Sequence, residues 1–321
     1  MSHFNSILVC VETHSGNLEM LEQAIELAKA NQAAIKLLHV ISDFPEDTAE
    51  WWNVRHPDKL KKRIIAERQA VLDDLADHAR AEGVEQLESE LRWGKTFIEI
   101  SREVMKNHHD LVKIVAKRGN KVSRMLTECP SRDLLQHCPC TLWVSQGKTH
   151  TRPKRVLATL GGTHSDVTCD ALDIKVLRAA ASIAEANGSE LHYLHAMPLY
   201  GNKGQKGKKL RADLADYIDS LKDQFKQKCG SVLNDFKVEF NEDRVHMLVG
   251  SPANALVELV SDKQIDLVVM GARPHEDLQT VLLGNRAMRA LDYLKCDVVG
   301  VKPDDFVSLL ESEGEVASSN K

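Results

Sequence analysis

One feature limits this chain more than any other: it contains the same pattern twice. Ala28-Lys29-Ala30-Asn31 matches Ala184-Glu185-Ala186-Asn187, His39 matches His195, Gly94 matches Gly250, and Asp110-Leu111-Val112 matches Asp266-Leu267-Val268. All four matches share one offset of 156 residues, with similar hydrophobic periodicity between them. Two copies of one domain are the economical reading, and 321 residues are enough for two domains of ordinary size. The boundaries expected are 1–146 and 154–306, joined by a polar linker at 147–153 and followed by an acidic, Ser-rich tail at 307–321, expected to be disordered.

Each copy alternates short apolar runs with amphipathic stretches. In the first, strands are expected at Ser6–Val11, Ala34–Ile41, Leu87–Arg92, Leu111–Val115 and Thr141–Val144. Helices are expected at Leu18–Ala30, Pro57–Glu82, Thr96–Lys106 and Ser131–His137, the first with Leu18, Leu21, Ile25 and Ala28 on one face. In the second copy the strands are Arg155–Leu160, Glu190–Ala196, Arg244–Leu248, Leu267–Gly271 and Val298–Val301. Its helices are Ala171–Ala186, Arg211–Lys228, Ala253–Ser261 and Asn285–Leu294. The fold class is therefore α/β: two tandem Rossmann-like domains, each a five-stranded parallel sheet with helices on both faces. Ligands of such sheets bind beyond the carboxyl ends of the strands, at the point where strand order reverses.

Composition excludes several classes. A net charge of −5 gives no basic footprint for nucleic acid, so no direct nucleic-acid binding is expected. No apolar run is long enough to span a bilayer, the first residues do not have the form of a signal peptide, and seven cysteines without scaffold spacing fit a reducing compartment. A cytoplasmic protein without membrane contact is expected. The cluster His137-Cys138-Pro139-Cys140 is too tight for structural zinc and has no distant mate, so no metal is called for. Motifs of a P-loop, a nucleophile elbow and a dinucleotide fold are missing, and no enzymatic activity is expected.

The stretch from Ile265 to Leu294 carries the best candidate site. The run Leu267-Val268-Val269-Met270 ends in Gly271, a polar loop follows, and Gly284-Asn285 opens a helical pattern. Strand, glycine loop and helix N-terminus together present backbone N–H groups to an anion. This stretch resembles the signature of the universal stress protein family, whose nucleotide-binding members carry Gly, two residues, Gly, nine residues, Gly and Ser or Thr. Gly271 and Gly284 fill the outer positions; Pro274 stands where the middle glycine belongs and removes a donor, and Asn285 replaces the Ser or Thr. Runs such as His109-Asp110-Leu111-Val112-Lys113 and Cys296-Asp297-Val298-Val299 extend the likeness to tandem bacterial members over nearly the whole chain. The resemblance implies a role in stress tolerance, including resistance to DNA-damaging agents.

It also implies an acid at the end of the first strand, facing base or ribose. Glu12 fills that position in the first copy, and Leu160 is taken as its counterpart in the second. The first copy keeps Gly119 in a poorer loop beside Lys117 and Arg118; Arg273 and Arg286 flank the loop of the second. The expectation is a non-enzymatic ligand-binding or regulatory scaffold with a degenerate nucleotide site in the second domain. ATP is the cofactor that Gly271, Arg273, Gly284, Asn285 and Arg286 would take, and no other is called for. The alternatives are an ATP-binding switch with slow ATPase activity and an apolar-ligand or protein-interaction module, the latter suggested by Leu160. In single-domain relatives two subunits pair through their last strands, so Thr141–Val144 and Val298–Val301 are expected to pair within the chain, with a homodimer as the other arrangement open to it.

Overall fold

The computed structural model describes residues 3–12, 16–41, 57–116, 130–146, 152–160, 171–197, 223, 226, 227, 229–249, 252–272, 294–306 and 308. The chain divides into two compact units, Ser2–Thr151 with Val307–Lys321, and Arg152–Phe306.

In the first unit the order is β1 (Ser6–Cys10), α1 (Asn17–Asn31), β2 (Ala34–Ile41), α2 (Pro57–Ala81), β3 (Leu87–Trp93), α3 (Thr96–Asn107), β4 (Leu111–Val115), α4 (Pro130–His137) and β5 (Thr141–Ser145). All strand pairs are parallel, and their spatial order is β3-β2-β1-β4-β5. The order reverses between β1 and β4. Right-handed crossovers then place α1 and α2 on one face and α3 and α4 on the other. Strands buried on both faces read as continuous apolar runs, and Ile7, Leu8, Val9, Leu111, Val112 and Ile114 are all buried. On α1 the buried set is Met20, Leu21, Ala24, Ile25, Leu27 and Ala28, while Leu18 is 46% exposed. The apolar face therefore begins one turn later than the periodicity suggested, at Met20 and Leu21.

The second unit repeats this with β6 (Arg155–Leu160), α5 (Ala171–Asn187), β7 (Glu190–Met197), β8 (Val245–Val249), α6 (Pro252–Asp262), β9 (Leu267–Gly271) and β10 (Asp297–Val301). Its parallel order, β8-β7-β6-β9-β10, is the same. Of the helix expected at 211–228, residues 223, 226 and 227 are helical, and the helix continues over 229–233. Of the helix expected at 285–294 only Leu294 is described, and it is buried.

Both units close the amino ends of their strands in one way. Asp110 accepts from the backbone N–H groups of Asn5 (2.7 Å) and Ser6 (3.2 Å). Asp266 accepts from those of Lys154 (2.8 Å) and Arg155 (3.0 Å). The carboxylate satisfies donors that precede the ladder, which fixes where the central strand begins. Of the residues expected to form a tail, Ser308 is described; it is buried, and its hydroxyl donates to the His137 carbonyl at 2.8 Å.

Candidate functional site

The carboxyl ends of the strands carry a second repeated device. In the first unit, buried His39 at the end of β2 places Nδ1 2.6 Å from the carbonyl of Val11, which follows β1. In the second, His195 of β7 places Nδ1 3.1 Å from the carbonyl of Leu160. A carbonyl only accepts, so Nδ1 carries the hydrogen in both rings. Burial lowers both histidine pKa values, against the opposing pull of the carbonyl bonds. The imidazoles are therefore neutral at pH 7 and leave Nε2 as a potential acceptor. These two histidines mark the repeat in the sequence, but nothing in their spacing shows that they clasp the strand ends beside the cleft.

The clasps correct one assignment. Strand register pairs Leu160 with His195, and His39 bonds to Val11, so Leu160 corresponds to Val11 and not to Glu12. The residue of the second copy that matches Glu12 is Gly161. The two assignments differ by one residue: Ser6 to Val11 match Arg155 to Leu160 at an offset of 149, whereas the offset of 156 holds from Asn31 and Asn187 onward. Seven extra residues lie between the first strand and the end of the first helix in the second copy. Both Val11 and Leu160 are buried.

Glu12 is half-buried, and its backbone is fixed by Asn17: the Glu12 N–H donates to Asn17 Oδ1 (3.0 Å) and Asn17 Nδ2 donates to the Glu12 carbonyl (2.7 Å). This reciprocal pair joins the end of β1 to the start of α1 and fixes the backbone of Glu12 near the point where strand order reverses. Gly271 lies at the matching end of β9. A Cβ built there would fall 2.7 Å from Leu172 Cδ2 of α5, so the space above this glycine is filled by an apolar side chain. Arg273, Gly284, Asn285, Arg286 and Gly119 lie outside the described residues. Of the expected site residues, the structure thus places Glu12 and Gly271, one in each unit.

The α3 face of the first unit holds a charged cluster that the sequence reading missed. Glu103 on α3 is fully buried, with Lys36 Nζ of β2 at 2.8 Å and Arg92 of β3 also in contact. Asn107 Nδ2 donates to it at 2.6 Å, and His109 Nε2 lies 3.2 Å away. Burial pushes the Glu103 pKa up, but the bonds from Lys36, Asn107, His109 and Arg92 outweigh it and hold the value at about 2. Glu90 joins through Lys36 (2.7 Å) and Arg92 (2.5 Å). In the second unit the positions of Lys36, Glu90 and Glu103 are taken by His192, His246 and Leu259. His192 Nδ1 and His246 Nε2 are 3.1 Å apart in nearly parallel rings whose centroids are 5.5 Å apart. The two nitrogens therefore lie between the rings and share one hydrogen. Burial lowers both pKa values, that of His246 to about 4. Among the described residues, no group of three or more His, Cys, Asp or Glu could hold a metal ion, and no helix is long and apolar enough to cross a membrane.

Comparison with known proteins agrees with this architecture. The family model for the universal stress protein family matches residues 3–146 and again 169–302. Universal stress protein E of Escherichia coli K12 is 23% identical over 98% of this chain and 99% of its own length. Among solved structures, a functionally unknown protein of Pseudomonas aeruginosa PAO1 aligns over 98% of both chains with a TM-score of 0.71 at 21% identity. A universal stress protein from Archaeoglobus fulgidus aligns over 95% of this chain and 98% of its own, with a TM-score of 0.64 at 18% identity. Two matches to one family model, falling on the two units that share strand order, amino-end cap and histidine clasp, establish that this chain belongs to the universal stress protein family as a tandem, two-domain member.

Proposed function

We propose that this stress-response protein is a cytoplasmic, non-enzymatic scaffold whose second domain keeps the frame of a nucleotide site but not its chemistry. One observation carries the reading: Leu172 occupies the space over Gly271, where a nucleotide binder needs bare backbone. Gly161 in the position matching Glu12 supports it, since a glycine has no carboxylate to offer a ribose. The ligand favoured by such a cleft is apolar or a protein segment rather than a triphosphate. Resistance to DNA-damaging agents is the cellular role we assign to it.

Calorimetric titration with magnesium ATP tests the reading. Up to about 1 mM nucleotide, the weak end of specific binding, no saturable heat is expected. Saturable micromolar binding that disappears in Gly284→Asp would overturn the scaffold reading in favour of an ATP-dependent switch. In cells, a deletion strain complemented with the wild-type chain should regain survival after ultraviolet irradiation, and Gly284→Asp should restore it equally well.

A further inference from the structure

Cys138 and Cys140 bracket Pro139 in the turn from α4 to β5. Both are buried thiols, and their Sγ atoms lie 3.6 Å apart. The turn itself is superficial: Gln136 is exposed, and His137 and Pro139 are half-buried. Cys140 is the more accessible of the two sulfurs, 8% exposed against 0%. The second domain supplies an internal control. Strand register equates Thr141 with Asp297, so Cys140 corresponds to Cys296 and Cys138 to Leu294. The second copy therefore keeps one sulfur, whose pKa burial pushes up to about 12. A pair of sulfurs in contact occurs at this turn in the first domain only.

Packing alone does not call for such a pair, because Leu294 fills the matching position in the same fold and is equally buried. Two thiols held in contact need only a short closure to reach disulfide bonding distance, about 2.05 Å. We propose that Cys138 and Cys140 form a redox dithiol that a peroxide oxidises to an intramolecular disulfide. The sulfur of Cys140, on losing its proton, attacks one peroxide oxygen. The O–O bond breaks, the leaving hydroxide takes up that proton as water, and a sulfenic acid remains. The sulfur of Cys138 then attacks the Cys140 sulfur; the S–O bond breaks, and the hydroxyl leaves as water with the Cys138 proton. Two thiols and one hydrogen peroxide thus become one disulfide and two waters, with two electrons passing from sulfur to oxygen. Burial disfavours the thiolate and makes the first step slow, which suits a stoichiometric record of oxidant exposure rather than peroxidase turnover. The bond would draw in the turn whose His137 carbonyl receives the Ser308 hydroxyl, so oxidation would be felt at that contact.

Mass spectrometry of the full chain tests this. Reduced protein is treated with hydrogen peroxide, denatured, alkylated with N-ethylmaleimide and digested with trypsin. Both cysteines fall in one peptide, running from Asp133 to Lys148. The expected product is that peptide, unlabelled and lighter by two hydrogens, returning to double labelling after dithiothreitol, while Cys296 stays labelled throughout. In Cys138→Ser the same treatment should leave a sulfenic acid on Cys140 that dimedone traps. Double labelling of the peptide after oxidation would overturn the proposal. So would a sulfinic acid as its only oxidised form, or a disulfide from either cysteine to another part of the chain.

Discussion

The two domains share a frame and differ in what they bury on one face of it. In the first, Glu103 stands under β2 and β3 as a buried anion, ringed by Lys36, Arg92, Asn107 and His109. In the second, Leu259 replaces that anion, and the strands above carry the neutral, hydrogen-bonded pair His192 and His246. Strand order, register and both end devices are unchanged. Apolar runs and end caps therefore specify the sheet, and this face accepts either solution. A paired ionic cluster and a leucine with a hydrogen-bonded imidazole pair each suit this face; a mixture of the two does not.

Mixing them should have the largest effect. Glu103→Ala removes the hub and leaves the partly buried Lys36 and Arg92 side chains, 12% and 18% exposed, to share Glu90, with Asn107 and His109 losing their buried acceptor. A loss of about 3–5 kcal/mol is expected in the first domain alone. The chain reports its domains separately, because all four tryptophans lie in the first copy and all four tyrosines in the second. The tryptophan urea transition should move to lower concentration while the tyrosine transition stays in place.

The caps sharpen the comparison from the other side. Asp110→Ala and Asp266→Ala each leave two backbone donors without the carboxylate. Each should cost about 1.5–3 kcal/mol in its own domain, by similar amounts, since each carboxylate receives the same two successive N–H groups. Unequal losses in the two transitions would show that the caps are not equivalent.

Acid should separate the domains next. The His246 pKa is depressed to about 4, below the ordinary histidine value of 6.5, and His192 is depressed as well. The unfolded chain takes up these protons first, so the stability that the neutral pair confers is complete above pH 6.5 and is lost as pH falls toward 4. Glu103, held at about 2 against an ordinary value of 4.5, keeps its contribution above pH 4.5 and loses it only below. The clasping histidines His39 and His195 occur once in each domain and largely cancel. Between pH 6.5 and 4.5 the tyrosine transition should therefore weaken more than the tryptophan transition, by about 1–2 kcal/mol after solvent screening. His246→Leu should flatten that difference.

The smallest effect is expected at Gly271. Gly271→Ala pushes a methyl against the mobile end of Leu172 and should cost about 1 kcal/mol. Leu172→Ala in the same chain should relieve that clash, which a double-mutant cycle would show as coupling between the two sites.

Much of the fold was legible because it rests on local periodicity. The strands at Ala34–Ile41, Leu111–Val115 and Leu267–Gly271 have the bounds that their apolar runs suggest. The site was less legible for two physical reasons. The repeat offset does not extend to the first strand, so the sequence leaves its end open by one residue, and cross-strand pairing and the histidine bonds are what equate Leu160 with Val11 rather than Glu12. The Glu103 cluster draws on β2, β3 and α3, whose members are far apart in sequence and look like ordinary surface charge until the strands are laid side by side. Gly271 was recognised as a special position, but its neighbour Leu172 lies 99 residues earlier and left no signal in the loop motif.

The seven extra residues of the second copy all fall between two fixed points. On one side the histidine clasp holds the end of β6, and on the other Asn187 ends α5 by donating to the Ile183 carbonyl at 2.8 Å. Length was added there without moving a strand. That makes the segment after β6 a natural cassette for engineering. Exchanging 161–170 for the shorter segment of the first copy, or for a library, would vary the sequence that follows β6 while the clasp and cap keep the sheet in register. Ligand selection from such chimeras could then assign specificity to the segment itself, independently of the domain that carries it.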